Sequence, residues 1–382
     1  MRSSLASLRG NRQKSPLSKS PSLILRASRR IGQDFEDREI IRRDIVYRSE
    51  SIPVESADWR SSLREKAGSS VVVDLSVKLG RLSLANPVLT ASGTFGYVRE
   101  MEPFVHLSRL GGVIPKTITA QPRAGNPTPR TVETASGLLN AIGLDNDGID
   151  HFFAYHMPYL IQVGTAVIVN VAGEDEDQFV ELALRAGREP GVAAVELNLS
   201  CPNVSKGLDL GLEANTVERV VRRSRAACPV PIIAKLTPNV TDIVSIARGA
   251  FEGGADAVSL VNTFRGLVVD WRKRRPVLAN DIGGLSGPAI KPLALRMVWE
   301  VSRALPELPI IGVGGIMNAD DAIEFLVAGA TAVQVGTATF ADPCAAETVL
   351  DGMIAALELA SIGSVREIVG VLRSNKENLT RS

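Results

Sequence analysis

The sequence is short of cysteine, histidine and aromatic residues, and each shortage excludes something. Its three cysteines, Cys201, Cys228 and Cys344, are too far apart for a disulfide framework, a Cys-x-x-Cys metal site or an iron–sulfur ligand set. Free thiols point to a reducing, cytoplasmic setting. The three histidines, His106, His151 and His156, fall at no expected strand end. They argue against a Ser-His-Asp triad or a histidine-built zinc centre, and no metal site is expected. Neither sign of charge dominates: 43 basic residues face 42 acidic ones, for a net charge of +1. That gives no electrostatic case for nucleic acid or a membrane surface. No apolar run approaches the roughly 20 residues of a membrane-spanning helix. A hydrophobic content of 45% over 382 residues is ample for a large core.

Acidic residues are also missing from the first 33 positions, which are rich in Ser and Arg. From 1 to 68 no hydrophobic period runs far enough to build a core, so this stretch reads as a disordered basic, Ser-rich extension. Three readings stay open for it: a transit peptide, a disordered tail, or a start codon placed too far upstream. Leu23-Ile24-Leu25 is too short for the apolar part of a secretory signal.

Residues 69–382 form the expected catalytic domain. A hairpin is expected from 71–77 and 82–84, turned at Gly80-Arg81. Strands are expected at 87–92, 112–117, 166–171, 192–199, 231–236, 257–261, 309–313 and 332–335. Amphipathic helices are expected at 178–186, 216–226, 242–252, 290–304, 319–328 and 345–359. Eight apolar strands alternating with helices indicate parallel strands covered on both faces. The count and length favour a (β/α)8 TIM barrel with an N-terminal hairpin. The rival is an open doubly wound sheet, which would carry a Gly-rich fingerprint after its first strand; Ala91-Ser92-Gly93-Thr94 is not one. Two insertions, 119–148 and 263–287, follow the second and sixth strands and should lie as long loops over the C-terminal face. The second carries Arg272-Lys273-Arg274-Arg275, either a solvated face or a docking patch.

The strand ends share one chemical character. In order they are Ala91-Ser92-Gly93, Lys116-Thr117, Asn170, Asn198 to Cys201, Lys235, Asn262-Thr263, Gly314-Gly315 and Gly336-Thr337. Together they describe a cavity lined with amides and two lysines. The glycines after the last two strands suit a phosphate, or serve tight turns alone. Lys116 and Lys235 need a partner if buried: an anionic substrate, a flavin, or an internal ion pair. Cys201 follows a strand, and Pro202 after it cannot extend a ladder. It is either an inert buried thiol or a presented one.

These residues carry a resemblance. Ala91-Ser92-Gly93, Lys116-Thr117, Asn126-Pro127-Thr128-Pro129-Arg130, Asn140-Ala141-Ile142-Gly143-Leu144, Asn198-Leu199-Ser200-Cys201-Pro202-Asn203, Lys235-Leu236-Thr237-Pro238-Asn239, Asn262-Thr263, Gly284-Leu285-Ser286-Gly287 and Gly314-Gly315 are together similar to the motifs of dihydroorotate dehydrogenase. The resemblance runs from about Asp74 to the C-terminus. It implies an FMN enzyme of pyrimidine (UMP) biosynthesis. A cysteine at 201, with no apolar N-terminal helix, resembles the cytosolic members; membrane-linked members have Ser there. Residues 131–140 look like the NAD-linked subclass (class 1B). Its catalytic chains form a homodimer within a heterotetramer, beside a subunit carrying FAD and a [2Fe-2S] cluster.

The resemblance implies roles. Cys201 would take a proton from C5 of dihydroorotate while hydride leaves C6 for N5 of FMN. Lys116, Asn140, Ala141, Ile142, Gly143, Leu144, Asn198, Asn262 and Thr263 would hold the substrate. FMN would be bound by Ser92, Lys116, Thr117, Asn170, Asn198, Lys235, Val261, Gly287, Gly314, Gly315, Gly336 and Thr337. Three rivals remain: another FMN barrel acting on a pyrimidine, a flavin-binding subunit without turnover, and a phosphate-binding barrel without flavin.

Overall fold

The computed structural model describes residues 72–199 and 210–375. The extension expected at 1–68 lies outside them. Eight parallel strands close into a barrel: β3 (Val88–Thr90), β4 (Gly112–Val113), β7 (Ala166–Val171), β8 (Val192–Asn198), β9 (Ile232–Lys235), β10 (Ala257–Leu260), β15 (Ile310–Val313) and β16 (Ala332–Val335). Their order around the barrel is their order in the chain, and β16 closes onto β3. The TIM barrel expected from the alternation is therefore the observed fold. Nearly every strand residue is buried because helices cover the outside and side chains from the strands themselves fill the inside.

Helices α3 (Glu176–Arg188), α4 (Ala214–Ala227), α5 (Ile243–Glu252), α6 (Lys291–Ala304), α7 (Ala319–Ala328) and α9 (Ala345–Leu359) form the outer ring. Their starts are set by local chemistry. The Asp175 carboxylate accepts from the Gln178 N–H, and Asp242 accepts from Val244 and Ser245. Asn318 and Asp321 make a reciprocal capping box. A short four-residue helix, α8 (Ala338–Ala341), follows β16. Ahead of β7 lies a helical stretch absent from the expected set: α1 (Gly148–His151), a π turn (Phe152–His156) and α2 (Met157–Leu160).

The hairpin is shorter than expected. It pairs β1 (Val77–Leu79) with β2 (Leu82–Leu84), and the tight turn at Gly80 and Arg81 sets Val77 opposite Leu84. That register leaves nothing for residues further back to pair with. Asp74 instead bridges Ser364. The hairpin is tied to the N-terminal end of β10, where Arg81 holds Asp256 through Nε at 2.8 Å and Nη2 at 2.9 Å.

The two insertions are more ordered than loops. β5 (Thr131–Thr134) and β6 (Gly137–Asn140) from the first join β11 (Phe264–Leu267) and β14 (Ile282–Ser286) from the second. They make one antiparallel sheet, ordered β11-β14-β6-β5. Leu139, Ala141 and Leu278 give this sheet its own small core. The basic run 272–275 occupies the tip of a further small hairpin, β12 (Val269–Asp270) with β13 (Arg275–Pro276), and all four side chains are exposed.

Candidate active site

The strand C-termini open into one cavity of about 640 Å³, walled on its outer side by the insertion sheet. That volume is ordinary for a small-molecule site. Every site residue expected from the sequence that falls among the described ones lines it: Ser92, Lys116, Thr117, Asn140 to Leu144, Asn170, Asn198, Lys235, Val261, Asn262, Thr263, Gly287, Gly314, Gly315, Gly336 and Thr337. Cys201 lies outside the described residues.

The floor is a closed polar network around Glu196, which has no exposure to water. Its Oε1 accepts from Asn170 Nδ2 at 2.6 Å, and its Oε2 from Ser259 Oγ and Gln334 Nε2, each at 2.6 Å. Lys235 Nζ donates to Gln334 Oε1 at 3.0 Å and stands 3.6 Å from Glu196 Oε1. So of the partners left open for Lys235, an internal ion pair is the one present. Sequence reasoning missed Glu196, Ser259 and Gln334, although they share a signal. Each is a single polar residue inside an apolar strand: Val195-Glu196-Leu197, Val258-Ser259-Leu260, Val333-Gln334-Val335. A polar group buried there must be satisfied from neighbouring strands.

One floor atom has no partner. Asn170 Oδ1 is buried and accepts no hydrogen bond among the described residues, although its Nδ2 is used by Glu196. An orphaned acceptor in a cavity wall is a place for a donor from ordered water or from a bound molecule.

Above the floor, hydroxyls and amides form a second tier. Ser92 Oγ lies 3.1 Å from Thr117 Oγ1, and Asn262 Nδ2 donates to Asn198 Oδ1 at 3.2 Å. Lys116 is different from Lys235. No carboxylate among the described residues lies within ion-pair distance of it, and burial pushes its ammonium below the usual lysine value, with Asp145 opposing the shift.

The glycine-rich ends are needed by the backbone itself. Gly314, Gly315 and Gly287 have φ of 130°, 74° and 93°, a region closed to most side chains. A Cβ on Gly315 would stand 2.8 Å from Lys291 Cβ and 2.9 Å from the Gly287 carbonyl oxygen. The cover is pinned as firmly. Asn140 Nδ2 donates to the Gly284 carbonyl at 3.2 Å, and Asn126 Nδ2 to the Ala141 carbonyl at 2.9 Å. Asn146 then anchors the loop's far end to Thr119, its Nδ2 donating to Thr119 Oγ1 at 2.9 Å and its Oδ1 accepting from the Thr119 N–H at 3.2 Å.

A closed parallel barrel with a polar, cation-bearing cavity at its strand C-termini defines an α/β-barrel enzyme. The sequence matches the family model for dihydroorotate dehydrogenase over residues 74–357. The chain belongs to the dihydroorotate dehydrogenase family. It is 52% identical over 300 residues to a protein of Geotalea uraniireducens, covering 78% of this chain and 98% of the relative. It is 50% identical over 299 residues to one of Desulforamulus reducens, with the same coverage. A Geobacter sulfurreducens protein is 52% identical over 300 residues, again covering 78% and 98%. Each of the three is named dihydroorotate dehydrogenase B (NAD(+)), catalytic subunit.

Proposed function

We propose that this chain oxidises (S)-dihydroorotate to orotate in pyrimidine (UMP) biosynthesis, as an FMN-bearing subunit that passes its electrons through a partner to NAD+. The observation that carries this reading is convergence. Residues from eight strand ends and two distant insertions line one cavity, and six of those ends, with both insertions, carry motifs similar to the family's. The residues present also fit a flavin. Asn170 Oδ1 is a buried acceptor available to a ring N–H. Lys235 supplies a positive charge on the cavity wall. The glycine backbone at 287, 314–315 and 336 leaves room for a phosphate.

In this reading Ser92, Thr117, Asn170, Lys235, Val261, Gly287, Gly314, Gly315, Gly336 and Thr337 hold FMN. Lys116 and Asn198 touch both cofactor and substrate. Lys116 pairs with the substrate carboxylate, which relieves the cost of burying its ammonium. Asn198, Asn140, Asn262 and Thr263 hold the ring amides, and 141–144 close over the ring. Cys201 takes the C5 proton. When bound, FMN supplies the acceptor for the hydride that leaves C6. A subunit carrying FAD and a [2Fe-2S] cluster completes the path to NAD+, around a homodimer of this chain. A reducing cytoplasm suits the free thiols Cys228 and Cys344. Among the described residues no helix is long and apolar enough to cross a membrane. Residues 1–68 take no part in the chemistry.

The test is Cys201→Ala under anaerobic conditions, with flavin bleaching by dihydroorotate as the readout. Loss of a general base predicts a fall of about 10²-fold or more in rate. A near-normal rate would reject Cys201 as the base. Robust NAD+ reduction by the purified chain alone would reject the partner.

A further inference from the structure

The histidines argue against a metal centre because none falls at an expected strand end. Two of them, His151 and His156, are five residues apart. In an α-helix that spacing turns two side chains about 140° away from each other. The chain between them is not α-helical. Residues Phe152–His156 form a π turn, whose i→i+5 bonding stacks residues five apart on one face. His151 and His156 thus face each other, with ring centroids 5.5 Å apart. Asp147, one α turn before His151, joins them. Its Oδ2 is 3.7 Å from His151 Nδ1 and 3.8 Å from His156 Nε2, and the three ligand atoms all lie within 4.8 Å of one another.

We propose that Asp147, His151 and His156 form a site for one divalent ion of the zinc, cobalt or nickel type, which ties the end of the substrate cover to the helix behind it. A point equidistant from these three atoms is no more than about 2.4 Å from each. Zinc–nitrogen and zinc–oxygen bonds of about 2.0–2.2 Å need only a small closure from there. Two imidazoles and one carboxylate suit such ions and leave a fourth position for water.

A second observation points to a ligand. His156 Nε2 is buried and makes no hydrogen bond among the described residues. Its ring is held in place by stacking on Tyr97 at 3.9 Å, and the Tyr97 hydroxyl accepts from the Asp147 N–H at 3.1 Å. Such fixed orientation is what outer partners give metal ligands. Asp147 directly follows Asn146, the anchor of the 140–146 cover. An ion here would stiffen that anchor.

The full-length, flavin-loaded protein is stripped with chelator and titrated with Zn2+ by calorimetry, then with Co2+ by visible absorbance. One equivalent should bind, with cobalt bands of a nitrogen and oxygen ligand set. His151→Ala, at an exposed position, should weaken binding at least about tenfold, and Asp147→Asn likewise. Cys201→Ser should bind as the parent does. No stoichiometric binding, equal binding by His151→Ala, or loss in Cys201→Ser would overturn the proposal; the last would move the ion to the thiol. None of these readouts depends on dihydroorotate turnover.

Discussion

Replacing Glu196 with Gln removes one negative charge from a position closed to water. Lys235 Nζ is 3.6 Å from Glu196 Oε1. At an effective dielectric near 20, unit charges at that distance attract by about 4–5 kcal/mol. Removing one member of such a pair commonly costs about 3–5 kcal/mol, because the other charge stays buried alone. The hydrogen bonds point the same way. Both carboxylate oxygens accept from N–H donors, Asn170 on one side and Gln334 on the other. A Gln amide nitrogen would face a donor in either orientation. We expect Glu196→Gln to lose about 4 kcal/mol of unfolding free energy in urea, measured on flavin-saturated protein. The double variant Glu196→Gln with Lys235→Met should be at least about 2 kcal/mol more stable than the sum of the single losses. A loss under about 1 kcal/mol, with additive singles, would refute the picture of one coupled buried pair.

Two other outcomes follow from the same geometry. Burial depresses Lys116, so its ammonium loses its proton at lower pH than an ordinary lysine. kcat/KM should therefore fall on the alkaline side below the ordinary lysine value, through a rise in KM. Lys116→Met should remove that limb and raise KM about 10–100-fold, the worth of a charged hydrogen bond; an unchanged limb would clear Lys116 of the role. Gly315→Val should cost about 2–3 kcal/mol in denaturant unfolding and weaken FMN in a fluorescence titration, since its Cβ meets Lys291 and the Gly287 carbonyl. An unaltered midpoint would mean that the loop yields.

The barrel was legible because its signal is long-range and redundant. Eight apolar runs such as Ala166–Val171 and Val192–Asn198 recur between amphipathic helices, and the common rival, an open doubly wound sheet, would carry a Gly-rich fingerprint that is missing after the first strand. The cavity was legible because polar residues stand immediately after those runs. Three things were hidden. The network of Glu196, Ser259 and Gln334 depends on which strands become neighbours, and their partners are up to 138 residues away. The insertion sheet requires 131–140 and 264–286 to find each other, although Thr131-Val132-Glu133-Thr134 has strand propensity of its own. The Asp147, His151 and His156 cluster depends on a π turn, for which the sequence offers no spacing rule. The hairpin's first strand was placed too early because the run of valines before Asp74 outweighed the register that the Gly80 turn imposes.

The measurement that tests the central claim most directly is anaerobic mixing of the purified chain with excess dihydroorotate while the flavin's visible absorbance is followed. The yellow protein should bleach, with one orotate formed per flavin. A flavin-loaded chain that keeps its colour contradicts it.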